Sequence, residues 1–229
     1  MFEVIAFDAD DTLWHNESIF IKIQKKFCEL LSSHPCDVVD QTLLSIQVKN
    51  LKKFGYGIKG FVLSMIETYV EITGGEVRGD VIQKILGFSR EMSSTPIELM
   101  PNVSSVIEEL SQKYPLMLIT KGDLIDQENK IEHSGLAQFF DTIEIVSDKN
   151  TAVYLKILSK HKIEPSNFIM IGNSMRSDIV PIIQIGGQAV HIPYHTTWEH
   201  EMDHPPVKNK YYTKLKHIGL LTQLIESIE

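Results

Sequence analysis

The run Phe2-Glu3-Val4-Ile5-Ala6-Phe7 leads straight into Asp8-Ala9-Asp10-Asp11-Thr12, so three carboxylates fall within four positions directly after a short apolar segment. An apolar run of this length reads as a buried strand. Asp8, Asp10 and Asp11 then stand at its carboxyl end, where open α/β sheets bind their ligands. Carboxylates this crowded drive one another toward protonation unless a cation neutralises them. The economical partner is a hard divalent ion, Mg2+, which prefers oxygen ligands and commonly holds a phosphate beside them. Taken alone, an Asp-x-Asp after a strand is equally an acidic turn or a helix N-cap, so the rest of the chain must decide.

With 229 residues the chain can bury a sizeable core, as one large domain or one domain carrying an insertion. From Asn16 to Met92 the periodicity is helical throughout. Ile19, Ile23, Phe27, Leu30 and Leu31 share one face of a first helix, which His34-Pro35 ends. Further helices are expected over residues 37–54, 58–72 and 76–92, punctuated by Gly55-Tyr56-Gly57 and Gly74-Gly75. After Pro96 and Pro101 helices at 103–113, 124–133, 152–161 and 177–185 precede strands at 116–119, 143–146, 168–171 and 189–192. This alternation predicts an α/β core with a mostly parallel sheet and right-handed crossovers. The four-helix block interrupts that core after its first strand, giving a core of residues 1–14 and 97–229 and an inserted helical unit of 15–96.

The strand ends carry a constellation. The second strand ends in Thr120, followed by Lys121-Gly122-Asp123, where a hydroxyl and backbone N–H groups could bond a phosphoryl oxygen. Lys149 follows the third strand and can place positive charge near an anion. The fourth ends in Gly172-Asn173-Ser174-Met175-Arg176-Ser177-Asp178, a glycine turn with Asn173 and Asp178 five residues apart. Each fragment has an ordinary reading: Thr120 as a helix cap, Lys149 as a solvated lysine, Asp178 as a helix-start residue. Their succession after consecutive strands is what singles them out.

The chain thereby resembles the haloacid dehalogenase superfamily of hydrolases, with matches spread from Asp8 to Asp178. Asp8-Ala9-Asp10-Asp11-Thr12 is the specific signal, and Thr120, Lys149 and the turn from Gly172 to Asp178 reinforce it. The resemblance implies a Rossmann-like core, and the helical insertion is similar to the small helical cap of the phosphatases that include phosphoglycolate phosphatase. It further implies Asp8 as nucleophile, Asp10 as general acid/base, and Thr120 and Lys149 as holders of the phosphoryl group. Mg2+ would lie on Asp8, the backbone carbonyl of Asp10 and the turn bearing Asn173 and Asp178. A carboxylate at Asp10 favours phosphatase over dehalogenase chemistry, because a halide leaving group needs no proton. The fourth motif of the family begins Gly-Asp. Here it begins Gly172-Asn173, so one potential carboxylate ligand is neutral, although an Asn carbonyl oxygen still coordinates.

Substrate selection is assigned to the cap, with Tyr56 and Lys59 beside the Gly55–Gly57 break as candidate substrate contacts next to Thr120 and Lys121 in the core; a solvated helix face accounts for the same lysines. Trp14 is expected either to wall the site or to pack in the core. His191, His195, His200 and His204 read as loop histidines, and Met170, Met175, Leu220, Leu221 and Leu224 as core. The net charge of -8 and the lack of a basic cluster argue against a nucleic-acid partner. No apolar stretch reaches membrane-spanning length and no signal-peptide pattern precedes the first strand, so a cytoplasmic protein without a membrane partner is expected, as a monomer or homodimer. Cys28 and Cys36 are too few for a disulfide framework and read as reduced thiols, Cys28 in the core. The leading expectation is a Mg2+-dependent phosphatase of a small phosphorylated metabolite. A phosphomutase of the same fold and a non-catalytic protein phosphorylated on Asp8 are the alternatives.

Overall fold

Every residue of Val4–Phe7 is hydrophobic because this segment, β1, lies in the middle of the sheet. The computed structural model describes residues 2–204 and 209–228. Among them β1, β2 (Leu116–Lys121), β3 (Thr142–Val146), β4 (Phe168–Gly172), β5 (Gln188–His191) and β6 (Tyr212–Lys214) form one sheet in the order β3-β2-β1-β4-β5-β6. Every pairing is parallel. This is the doubly wound α/β arrangement, in which successive crossovers change direction at β1 and leave a crevice at the carboxyl ends of the strands. The helices are α1 (Glu17–Leu30), α2 (Cys36–Phe54), α3 (Ile58–Ile72), α4 (Gly79–Ser93), α5 (Val103–Ser111), α6 (Leu124–Ser134), α7 (Thr151–His161), α8 (Val180–Gln184) and α9 (Leu221–Ile228).

Two compact units result. The sheet unit comprises Met1–Glu17, Ile97–Lys121 and Gln127–Glu229, and the helical unit comprises Ser18–Pro96 and Gly122–Asp126. In the sheet unit, alternate strand residues feed two cores, as the period-2 geometry of a strand requires. Ile5, Phe7, Leu116, Leu118, Ile169 and Ile171 pack with Val106 and Ile107 of α5 and Leu221 and Ile225 of α9. Ala6, Met117, Ile119, Phe168 and Met170 pack on the other face with Tyr154, Ile157 and Leu158 of α7. The central strands β1 and β4, buried on both faces, are apolar throughout, which is why they read as unbroken runs. In the helical unit the pairs Ile23 and Phe27, Val39 and Leu43, and Phe61 and Met65, each four apart, meet Ile85 and Met92 of α4 in a third core. Truncating one of these to Ala typically costs about 2–5 kcal/mol.

Several element limits differ from the sequence reading, each for a local reason. Gly74 and Gly75 both take positive φ, at 62° and 90°, and α4 therefore begins at Gly79 rather than at residue 76. The expected helix at 177–185 is instead a wide π-helical turn, Met175–Ile179, followed by the short α8 with Pro181 in its first turn. Edge strand β6 is short and partly polar, Tyr212-Thr213-Lys214, and left no hydrophobic signature. Met170, Met175 and Leu221 are buried, whereas Leu220 is exposed. No helix among the described residues is long and apolar enough to cross a membrane.

The cysteines depart from the expectation of free thiols: Cys28 near the end of α1 and Cys36 at the start of α2 are joined as a disulfide, their Cα atoms 5.3 Å apart. The turn between the two helices brings the pair within bridging range, which an eight-residue separation alone does not reveal. Asp40 lies against both sulfurs. Alkylation of the unfolded, unreduced chain is expected to label neither cysteine and to label both after reduction; labelling without reductant would refute the bridge.

Candidate active site

Because all the strands are parallel, their carboxyl ends deliver side chains to one edge. Asp8 is the first residue after β1, and its N–H bonds the Ile171 carbonyl of β4 at 2.8 Å. The carboxylate receives Thr12 Oγ1 at 2.8 Å on Oδ2 and the Lys149 ammonium at 2.5 Å on Oδ1. The same ammonium donates to Asp178 Oδ1 at 2.9 Å. Asn173 Oδ1 lies 3.4 Å from the Thr12 hydroxyl. Asp8, Lys149 and Asp178, expected from sequence to cooperate, are thus linked in one buried cluster, with the half-buried Asn173 joined to it through Thr12. Leu118 pairs with Phe7, so the buried Thr120 stands on β2 one residue beyond the level of Asp8.

Gly172 explains the position of Asp178. A Cβ there would collide with the Asp178 carboxylate, which lies against the glycine backbone and takes the Ser174 N–H at 3.0 Å. Burial pushes the Asp8 pKa up, to about 7, against the opposing pull of Lys149. Burial by itself would depress Lys149, but Asp178 and Asp8 outweigh it and hold the ammonium charged well above the usual lysine range.

The three carboxylates of the first motif have separate environments. Asp10 accepts Trp14 Nε1 at 2.7 Å, Gln127 Nε2 at 2.9 Å and Lys130 Nζ at 3.1 Å. Trp14 packs in the core, one of its two expected roles, with its ring fully buried and its N–H on Asp10. Asp11 sits in the left-handed region, φ 62°, a conformation that Asp tolerates better than most residues. From there its carboxylate accepts the N–H groups of Asn16 and Glu17, both at 2.9 Å, and so caps the start of α1. Burial raises Asp11 to about 7. Burial, then Asp11, Glu201 and Asp10, raise Glu17 to about 8.

Several contributors were not found from sequence. Gln127 and Lys130, three apart on α6, both reach Asp10, and Lys130 also donates to Asn16 Oδ1 at 2.9 Å. Their spacing marks a common helix face, but nothing in the sequence says which way it points. Lys121, expected from sequence as a substrate contact, reaches Glu201, a residue not found from sequence in the stretch after β5, with Nζ to Oε1 at 2.5 Å. Arg176, unassigned from sequence, donates to the His200 carbonyl at 3.1 Å. His191 Nε2 lies 3.1 Å from the Asn173 carbonyl. Tyr56 and Lys59 belong to the helical unit, where Lys59 forms a solvated ion pair with Asp123 at 3.0 Å.

The donor set suits a hard cation. Asp8, Asp178 and the Asn173 amide offer oxygen atoms tied through Lys149 and Thr12, and the Asp10 carbonyl belongs to the same short segment as Asp8. Oxygen donors in small number are the ligand set that Mg2+ prefers.

A Rossmann-like parallel sheet with this cluster at its carboxyl edge defines a class. Residues 2–186 match the haloacid dehalogenase-like hydrolase family, and the chain belongs to it. A haloacid dehalogenase-like family hydrolase from Xanthomonas campestris, of known structure, is 34% identical, covering 99% of this chain and 91% of that one with a TM-score of 0.89. The chain is also similar to two proteins named glyceraldehyde 3-phosphate phosphatase. The Pyrococcus furiosus one is 23% identical over 99% of this chain and 93% of its own length. The Methanothermobacter thermautotrophicus one is 27% identical over 55% of this chain, a match spanning only 58% of its own length.

The raised Glu17 pKa has a definite thermodynamic sign. A folded carboxyl that holds its proton up to about 8, where the unfolded one releases it near 4.5, makes stability fall as pH rises through that window. Glu17→Gln should therefore stabilise the metal-free protein around pH 9 and not around pH 4, as read by denaturant midpoints. Equal midpoints for wild type and variant around pH 9 would contradict this account.

Proposed function

We propose that this hydrolase is a Mg2+-dependent phosphatase that cleaves a small phosphomonoester through an aspartyl-phosphate. The observation that carries the reading is the buried Asp8–Lys149–Asp178 bridge, which holds a carboxylate and an ammonium side by side where a phosphoryl group can be met by both. The two relatives named glyceraldehyde 3-phosphate phosphatase support a small phosphorylated substrate.

In this reading Asp8 attacks phosphorus, the bond from phosphorus to the ester oxygen breaks, and the leaving oxygen takes a proton from Asp10. Asp10 then removes a proton from the water that hydrolyses the acyl phosphate, which regenerates Asp8. Lys149 and the Thr120 hydroxyl hold the phosphoryl oxygens, and Lys149 offsets the repulsion between dianion and carboxylate. Trp14, Gln127 and Lys130 keep the Asp10 carboxylate in place between the two half-reactions. Thr12 fixes the free oxygen of Asp8. Asp8, the Asp10 carbonyl, Asn173 and Asp178 would hold Mg2+, which when bound neutralises phosphoryl charge.

Asp8→Asn should abolish turnover of a panel of sugar phosphates, nucleotides and small phosphorylated acids while the fold persists by circular dichroism. Asp10→Asn should slow turnover by roughly 10²–10⁴-fold, the usual contribution of general acid/base catalysis. Near-wild-type rates in either variant would remove that residue from the mechanism.

Titrating activity with Mg2+ tests the ion separately. Asn173→Asp should tighten the apparent affinity, since a hard cation gains from an anionic oxygen, and Asp178→Ala should weaken it far more. A wild type indifferent to Mg2+, or an Asp178→Ala enzyme with an unchanged curve, would show the metal site to be elsewhere.

A further inference from the structure

We propose that Glu201 is a positioning residue for the turn from Asn173 to Asp178, setting the spacing of its two ends for a divalent ion; the proposal rests on the reading of that turn as metal-binding. Glu201 lies outside every motif considered above. It ends a single 3-10 turn, Glu199–Glu201, and its side chain is buried.

One oxygen of Glu201 reaches both inner hydroxyls of the turn. Its Oε2 accepts Ser174 Oγ and Ser177 Oγ, each at 2.6 Å. Ser174 follows Asn173 in the chain and Ser177 precedes Asp178, so the two hydroxyls adjoin the two proposed ligands. Lys121 completes the network by donating to Glu201 Oε1 at 2.5 Å and to Ser177 Oγ at 2.6 Å. Hydrogen bonds to an ionised acceptor are about twice as strong as neutral ones. Burial would raise Glu201, but Lys121 and the serine hydroxyls overcome it and hold the carboxyl down at about 2, so the acceptor stays ionised at working pH.

The turn needs such support because it is a wide π-helical one, Met175–Ile179, of a kind common at functional sites. Its backbone is held from two other directions, Tyr154 Oη donating to the Ser177 carbonyl at 3.0 Å and His191 lying against the Asn173 carbonyl. Arg176 binds the His200 carbonyl and ties the turn a second time to the Glu199–Glu201 segment. Glu201 is the group in this set that joins both inner side chains of the turn. An ion pair serving only to neutralise Lys121 would require neither serine contact.

The test is calorimetric titration of Mg2+ alone into the whole protein, with no substrate, for wild type, Glu201→Ala, Glu201→Gln and Asp178→Ala, each checked for folding. Partners that orient metal ligands typically contribute 10–100-fold in affinity. Glu201→Ala should therefore weaken Mg2+ binding by about that factor, and Glu201→Gln, which keeps an oxygen for the serines, should lose less. Should Glu201→Ala not fold, Glu201→Gln decides, with weaker binding than wild type expected. Wild-type affinity in the folded Glu201 variants, with Asp178→Ala still impaired, would overturn the role of Glu201 and leave the metal turn standing. Wild type and Asp178→Ala binding Mg2+ alike, or not at all, would overturn the metal reading and this proposal with it.

Discussion

One ammonium group, that of Lys149, holds two buried carboxylates together at the carboxyl edge of the sheet, and the rest of the site is arranged around that charge. Its side chain is 1% exposed, as is that of Asp178, so neither can shed its charge cost into water. Removing one partner of such a buried pair typically costs about 3–5 kcal/mol, because the other charge stays behind without compensation. Two carboxyl groups thus share a single cation, and the burial that isolates them raises Asp8 to about 7. In the reading proposed above, oxygen donors from Asn173 and the first motif complete a place for a further cation beside this pair.

The first motif shows how strongly environment sorts residues of one type. Asp8 lies in the buried cluster under Lys149, Asp10 faces a ring of three donors, and Asp11 turns into the left-handed region to cap α1. The same side chain therefore does nucleophilic, proton-transfer and structural work within four positions, in the reading favoured here. Of the two glutamates nearby, burial raises Glu17, whereas Glu201 is held low because Lys121 and two hydroxyls surround it.

Sequence alone determined five of the six strands and the residues proposed here as the chief members of the site. Strands buried on both faces must be continuously apolar, and the residues just beyond them must lie at one edge once the strands are parallel. Asp8, Thr120, Lys149, Asn173 and Asp178 were legible for that reason, as was the helical block between the first and second strands, whose periodicity of 3.6 contrasts with the runs around it. Tertiary structure decided what depends on direction or on distance across the chain. Gln127 and Lys130 reach Asp10 only because of how α6 is rotated, and Glu201 reaches Ser174 and Ser177 from an irregular segment that has no period to read. Cys28 and Cys36 meet because two helices turn back on each other within a few residues. Periodicity encodes which face of an element is buried. It does not encode which polar groups another part of the chain will bring to meet it, since such a contact leaves no repeat in either segment.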